Sequence, residues 1–124
     1  MVEQVSTDGA PHGEPLPFPQ GVVHGDTVYV SGQVGIDPGT GEVVEGGIRA
    51  ETRRTMENVA AILEAAGSSL ESAVKVTAFL TDMDDFEAFN EVYTEFFDER
   101  LPARSAVEVS DLAVEIEVIA AVED

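Results

Sequence analysis

The sequence predicts an α+β domain in which two helices pack on one face of a mixed β-sheet. Stretches that alternate apolar and polar residues are interleaved with two stretches of three- and four-residue apolar spacing. No repeat or linker divides the 124 residues, so residues 1–124 read as one domain, long enough to bury a core without staples. The predicted strands carry apolar side chains on both faces, which two helices on one side cannot cover.

Val22-Val23 and Val28-Tyr29-Val30 flank His24-Gly25-Asp26, where glycine and aspartate tolerate the positive φ of a tight hairpin. Asp37-Pro38-Gly39-Thr40-Gly41 is a second turn. A helix is predicted from about Ile48 to Ala66, with Thr52, Met56, Val59, Ala60, Leu63 and Ala66 on one face and Gly67 as its stop. Ser69 is placed to cap a short turn into Leu70. Val74 to Leu80 alternates as a strand, with Val74, Val76, Ala78 and Leu80 on one face and Lys75, Thr77 and Phe79 on the other. A second helix is predicted from about Asp84 to Asp98, acidic at its start as the helix dipole prefers. Its stripe of Phe86, Phe89, Asn90, Tyr93, Phe96 and Phe97 reads as core. Ser105 to Val109 and Val114 to Val122 alternate around a short turn at Asp111 and read as a closing hairpin. Phe79 and Ile119 fall on the uncovered sheet face, which implies oligomerisation.

Composition excludes several classes of function. Twenty-five acidic residues face six basic ones, for a net charge of -19. Such a surface repels phosphate, which disfavours nucleic acid as a partner. A folded domain this acidic repels itself unless counterions screen it. The economical reading is a halophilic, cytoplasmic protein; an ordinary acidic protein is the alternative. There is no cysteine, which excludes thiolate chemistry and Cys-built metal sites. No apolar run approaches a membrane span. Met1 to Pro19 is polar, with neither a basic nor an apolar segment of a signal peptide, and no membrane partner is expected.

Few residues are placed for chemistry. The glycines of 32–35 and 39–41 lack the strand–turn–helix setting of a nucleotide site. Ser31 at a strand end has no evident base beside it. His24 reads as a hairpin surface residue, and His12 lies in a lead-in segment; neither has metal-ligand spacing. Arg104 is a scarce cation flanked by small and apolar residues at the start of a strand. It is either half of a structural ion pair or a planar fork for a carboxylate ligand. Glu115 and Glu117 share one face of the last strand, and Glu108 shares a face with Arg104. Each glutamate is either part of a solvated face or a carboxylate able to move a proton in a pocket. Asn90, within an aromatic stripe, requires a hydrogen-bond partner.

Together these segments resemble the RidA/YjgF family of reactive-intermediate (enamine/imine) deaminases over nearly the whole chain. Val30-Ser31-Gly32-Gln33-Val34-Gly35 with Pro38 to Val43, Thr55 to Val59 with Ala65 to Leu70, and Val74 to Asp82 carry the first part of the resemblance. Asp85 to Asn90 with Tyr93 to Phe97, Leu101-Pro102-Ala103-Arg104-Ser105-Ala106-Val107-Glu108-Val109, and Val114 to Ala120 carry the rest. The resemblance implies a chorismate-mutase-like α+β fold and a homotrimer whose sheets face inward, with clefts at the subunit interfaces. It implies hydrolysis of 2-imino acids, of the 2-iminobutanoate/2-iminopropanoate type, to 2-keto acids and ammonia. No metal or organic cofactor is implied. Arg104 matches the family's carboxylate-gripping arginine, and Glu115 the glutamate that positions or activates water. Ser31, Gly32 and Asn90 match residues that line or support the cleft. Phe18 stands where the family usually has tyrosine, and Ala106 where many members have cysteine. A non-catalytic, carboxylate-binding or regulatory member of the same fold is the alternative.

Overall fold

A computed structural model describes residues 1–12, 16–110 and 113–123. The elements run β1 (Val2–Val5), β2 (Gly21–His24), β3 (Thr27–Gln33), α1 (Gly47–Ala65), β4 (Ala73–Leu80), α2 (Phe86–Thr94), β5 (Ala103–Glu108) and β6 (Val114–Ala121). Short 3₁₀ turns at Leu70–Ser72 and Met83–Asp85 precede β4 and α2. The six strands form one sheet in the order β1-β2-β3-β6-β4-β5, antiparallel except for the β4–β5 pair.

The α+β class with both helices on one face is as expected, and Gly67 ends α1 at φ 83°. The hairpin of β2 and β3 turns at Gly25 with φ 62°. Four expectations are corrected. First, β5 and β6 do not form a hairpin. The helix α2 crosses over between β4 and β5, which lets them pair in parallel. Both edges of β6 are then taken by β3 and β4. The expected turn residue Asp111 lies outside the described residues. Second, β1 exists, although Val-Glu-Gln-Val carries little apolar signal of its own; backbone pairing with β2 holds it. Third, Val74 does not share the buried face of β4. The register against β6 shifts between Ala73 and Lys75 and turns Val74 outward. Fourth, the second helix is shorter than expected at both ends. Asp84 and Asp85 stand at its acidic start as expected, and Asp82 caps the turn before it by accepting from the Asp84 N–H at 2.9 Å. Ser69 makes no side-chain cap; its hydroxyl donates to the Glu123 carboxylate.

The core lies between the helices and the sheet. Met56, Val59, Ile62 and Leu63 of α1 and Phe89 of α2 pack against Val28, Val76, Leu80, Ile116 and Val118. Truncating one of the large aliphatic members to alanine costs about 2–5 kcal/mol. The opposite sheet face carries Tyr29, Phe79, Val107 and Ile119; Tyr29 and Val107 are 42% and 43% exposed.

Among the described residues most acidic side chains have no cationic partner. Arg49–Glu91 at 2.7 Å and Arg53–Glu95 at 3.0 Å tie α1 to α2, and Arg54–Glu57 at 3.3 Å lies within α1. Exposed pairs of this kind contribute about 0–1 kcal/mol each. Solvent cations must therefore screen most of the carboxylates. We expect the Tm to rise as potassium chloride goes from millimolar to molar, beyond what a neutral osmolyte produces, since salts also strengthen apolar burial. A Tm insensitive to salt would remove halophily as the explanation of the composition.

Candidate functional site

The structure places the candidate residues in two groups on opposite faces of the sheet. The first surrounds Glu115. Between Val30 and Gln33 the pairing of β3 with β6 slips, and Ser31 and Gly32 fall in this irregular stretch. Ser31 ties down the chain on its other side: its N–H donates to the Gln20 carbonyl at 2.9 Å and its hydroxyl to the Pro19 carbonyl at 2.8 Å. It is therefore a structural clamp beside Phe18. The buried Gln20 amide donates to the carbonyls of Thr7, Ala10 and Pro11 at 3.0–3.1 Å and accepts from the Thr7 N–H at 2.7 Å. Opposite, buried Asn58 of α1 donates to the carbonyls of Val34 and Ile36 at 3.1 and 2.9 Å.

These anchors frame a cavity of about 370 Å³ whose lining includes His12, Leu16, Phe18, Gly32, Ile36 and Glu115. Glu115 is half-buried, and burial raises its carboxyl above the usual range; the neighbouring charge of Glu117 adds to the rise. Glu117 lines a separate groove of about 170 Å³ with Tyr29, Lys75 and Thr77. Of the two glutamates that alternation leaves equivalent, Glu115 is therefore the one in the cavity. Gly32 makes room for it. A Cβ at Gly32 would collide with the Glu115 carboxylate, standing 2.8 Å from its Cδ. We expect Gly32→Ala to displace that carboxylate and lower any Glu115-dependent activity at least tenfold while the Tm falls by only a few degrees. Steady-state rates and a thermal melt on the same sample check this; full activity would separate Gly32 from the site.

The second group centres on Arg104 of β5. It is in register with Val76, whose side chain is buried beneath the helices, so Arg104 faces α2. Its Nη1 donates to Asn90 Oδ1 at 2.6 Å, which gives Asn90 the partner it requires. The guanidinium carbon lies 5.4, 5.5 and 5.0 Å from the ring centroids of Phe86, Phe89 and Tyr93. No carboxylate pairs with Arg104 among the described residues. The Tyr93 hydroxyl is buried with no hydrogen-bond partner there, and burial raises its pKa despite the opposing effect of Arg104.

Arg104 and Glu115 do not meet within one chain. Glu115 is in register with Phe79 on the uncovered face, and β4 lies between their strands. Phe18, Gly32 and Glu115 share the cavity; Asn90 goes with Arg104; Ser31 supports the loop of Phe18. Glu108 is exposed on the Arg104 side of β5, and His24 is exposed at the hairpin turn. His12 lines the cavity and lies 3.1 Å from Asp8 Oδ1, a placement that its sequence neighbours did not signal. The aromatic bed beneath Arg104 was also missed. Its signal was available in the i, i+3, i+4, i+7 spacing of Phe86, Phe89, Asn90 and Tyr93, which puts the asparagine and three rings on one helix face. Among the described residues, no group of three His, Asp or Glu side chains is placed to hold a metal ion, and no helix is long and apolar enough to cross a membrane.

A six-stranded sheet with two helices on one face, an arginine with no carboxylate partner among the described residues and a glutamate in a cavity define a small α+β domain. The family model described as Endoribonuclease L-PSP matches residues 12–122. A RutC family protein of Pyrococcus horikoshii is 50% identical over 125 residues, covering 97% of this chain and 98% of that protein. The human 2-iminobutanoate/2-iminopropanoate deaminase is 40% identical over 120 residues, covering 94% of this chain and 87% of that protein. The crystal structure of Escherichia coli TdcF with bound serine superposes with a TM-score of 0.90 at 41% identity, covering 96% of this chain and 98% of that one. The chain belongs to the RidA/YjgF family.

Proposed function

We propose that this protein is an imine deaminase that hydrolyses 2-imino acids, of the 2-iminobutanoate/2-iminopropanoate type, to 2-keto acids and ammonia. The observation that carries this reading is Arg104: a guanidinium held by one amide oxygen and three aromatic rings, with no carboxylate partner among the described residues, in a chain with 25 acidic residues and six basic ones. The 40% identity to a human protein of that name supports it.

Because Arg104 and Glu115 sit on opposite faces of one chain, the working cleft requires a second copy. In the proposed homotrimer the apolar sheet faces turn inward, and Arg104 of one copy is brought to the Glu115 cavity of the next. The planar fork would bind the substrate carboxylate through parallel hydrogen bonds and fix the imine carbon. Glu115, in its ionised form, would take a proton from water as the oxygen attacks that carbon and return it to the nitrogen, giving a carbinolamine; it would then carry the proton of the new hydroxyl to the same nitrogen, which leaves as ammonia as the C=O forms. Phe18, Gly32 and the Ser31 clamp would shape the cavity. All these steps use protein groups and water.

Generating the imine in situ from an amino acid and following keto-acid release tests the reading, together with light scattering on the same sample. We expect release above the spontaneous rate and a particle of about three times the 13.2 kDa chain mass. A monomer at micromolar concentration would contradict the composite cleft. A second reading, a carboxylate-binding module without turnover, draws on the relative whose structure holds serine. It predicts saturable binding of small carboxylates with no acceleration of imine hydrolysis. The net charge of -19 weighs against RNA as a substrate.

A further inference from the structure

We propose that Phe86 and Tyr93 are positioning residues that hold Arg104 as an uncommitted carboxylate fork, the aromatic face of α2 taking the place of an acidic partner. This deepens the reading of Arg104 given above and rests on it.

The other cations show what is unusual about Arg104. Arg49, Arg53 and Arg54 each take a glutamate within 3.3 Å. Arg100 donates to the carbonyls of Glu71 and Ala73 at 2.8 and 2.7 Å, and Lys75 to the Ser105 hydroxyl at 2.8 Å. Arg104 has one amide oxygen and three rings. A flexible arginine on so acidic a protein would be captured by one of its own carboxylates, and a captured fork cannot receive a ligand. The negative faces of aromatic rings stabilise a guanidinium without occupying its in-plane N–H groups. Asn90 takes one N–H from Nη1, and no side chain or carbonyl among the described residues accepts from Nε or Nη2. The edge that binds a carboxylate through two parallel bonds is thereby left open.

The bed has a division of labour. Phe89 is fully buried and belongs to the core; Tyr93 is buried and stacks against Phe89 at 5.5 Å between centroids. Phe86 is only half-buried, opens α2, and follows directly on Asp84 and Asp85. It is thus the ring of the three that can be changed with least damage to the core.

Phe86→Leu keeps an apolar side chain and removes the ring face; Phe86→Tyr keeps the ring. The probe is 2-oxobutanoate, whose binding is measured by calorimetry, with KM and kcat for imine hydrolysis measured alongside. We expect Phe86→Leu to weaken 2-oxobutanoate binding about three- to thirty-fold and raise KM in parallel, while kcat at saturation changes by less than about threefold. Phe86→Tyr should restore binding to within about twofold of the unaltered protein. A role in folding alone would lower the Tm of Phe86→Leu and leave affinity and KM unchanged, and that result would overturn the proposal. Should Phe86→Leu fail to fold, the unaltered protein still decides. The side-chain N–H resonance of Arg104, assigned by its loss in Arg104→Lys, must be shifted upfield by ring currents; an unshifted resonance would overturn the bed. If the unaltered protein neither binds 2-oxobutanoate nor speeds imine hydrolysis while that resonance is shifted, the functional reading has failed and the proposal falls with it, although the bed itself stands.

Discussion

Replacing Arg104 with alanine should remove nearly all imine hydrolysis, the largest single effect expected in this protein. A charge-assisted hydrogen bond contributes about 1.5–3 kcal/mol, or roughly a ten- to hundred-fold change in rate, and the loss grows when the reacting carbon is no longer held in place. Lysine distinguishes charge from geometry. Arg104→Lys retains the cation but lacks the planar fork, so it cannot bond Asn90 Oδ1 through one edge and offer a carboxylate two parallel bonds through another. It should keep a small residue of activity above that of Arg104→Ala. The relevant measurement is kcat/KM for keto-acid release, on samples shown by light scattering to keep the assembly of the unaltered protein. An intact, fully active Arg104→Ala would end the proposed mechanism.

The second large effect belongs to Glu115. Glutamine preserves its shape and part of its hydrogen bonding but cannot accept a proton. Glu115→Gln should therefore lower kcat by about 10²–10⁴-fold while 2-keto acid binding weakens far less. The pH dependence carries a sign. The carboxyl titrates above its ordinary 4.5, chiefly because it is buried and secondarily because Glu117 is near. The base form accumulates as pH rises through that raised value, and the acid limb of kcat should follow it. Removing the neighbouring charge in Glu117→Gln should move the limb to lower pH without abolishing turnover. Stability runs the other way. A carboxyl whose folded pKa is raised favours the folded state while protonated, and that benefit is lost as pH climbs from its ordinary value through the raised one. Above that range Glu115→Gln should therefore melt higher than the unaltered protein. If Glu117→Gln abolished activity and Glu115→Gln did not, the roles of the two glutamates would be exchanged.

How far such a site can be read before the chain is folded depends on the range of the interactions involved. The helix α1 and its stop at Gly67 follow from local periodicity and from a φ that glycine adopts without strain, and the hairpin at Gly25 is equally local. The placement of β6 is not local. Its alternation is compatible with pairing to β5, and only the crossover through α2 makes β5 an edge strand and leaves β6 to bridge β3 and β4. The same limit applies to the site. Alternation puts Glu115 and Glu117 on one face, but the slip of β3 at Ser31 and Gly32 decides which one meets a cavity. Arg104 was identifiable as a cation without neighbours of opposite charge. That it faces α2, away from Glu115, follows from its parallel register with Val76, a long-range property. The aromatic residues of α2 read as core because hydrophobic spacing is the same whether a ring packs against a leucine or lies under a guanidinium.

The central position of β6 has a consequence for how the protein is made. Ribosomal synthesis delivers β6 after every other strand, yet its neighbours β3 and β4 have no pairing with each other. Until β6 emerges, the nascent chain holds two separate ribbons, β1-β2-β3 and β4-β5, each with a bare edge and an apolar face. Insertion of one late strand zips them together and closes contacts across most of the sequence, a topology that favours slow folding over rapid local collapse. The hydroxyls of Ser69 and Ser72 then fasten the incoming segment through Glu123. A premature stop before Val114 would thus leave both ribbons unjoined and open to pairing with other chains, a hazard for aggregation.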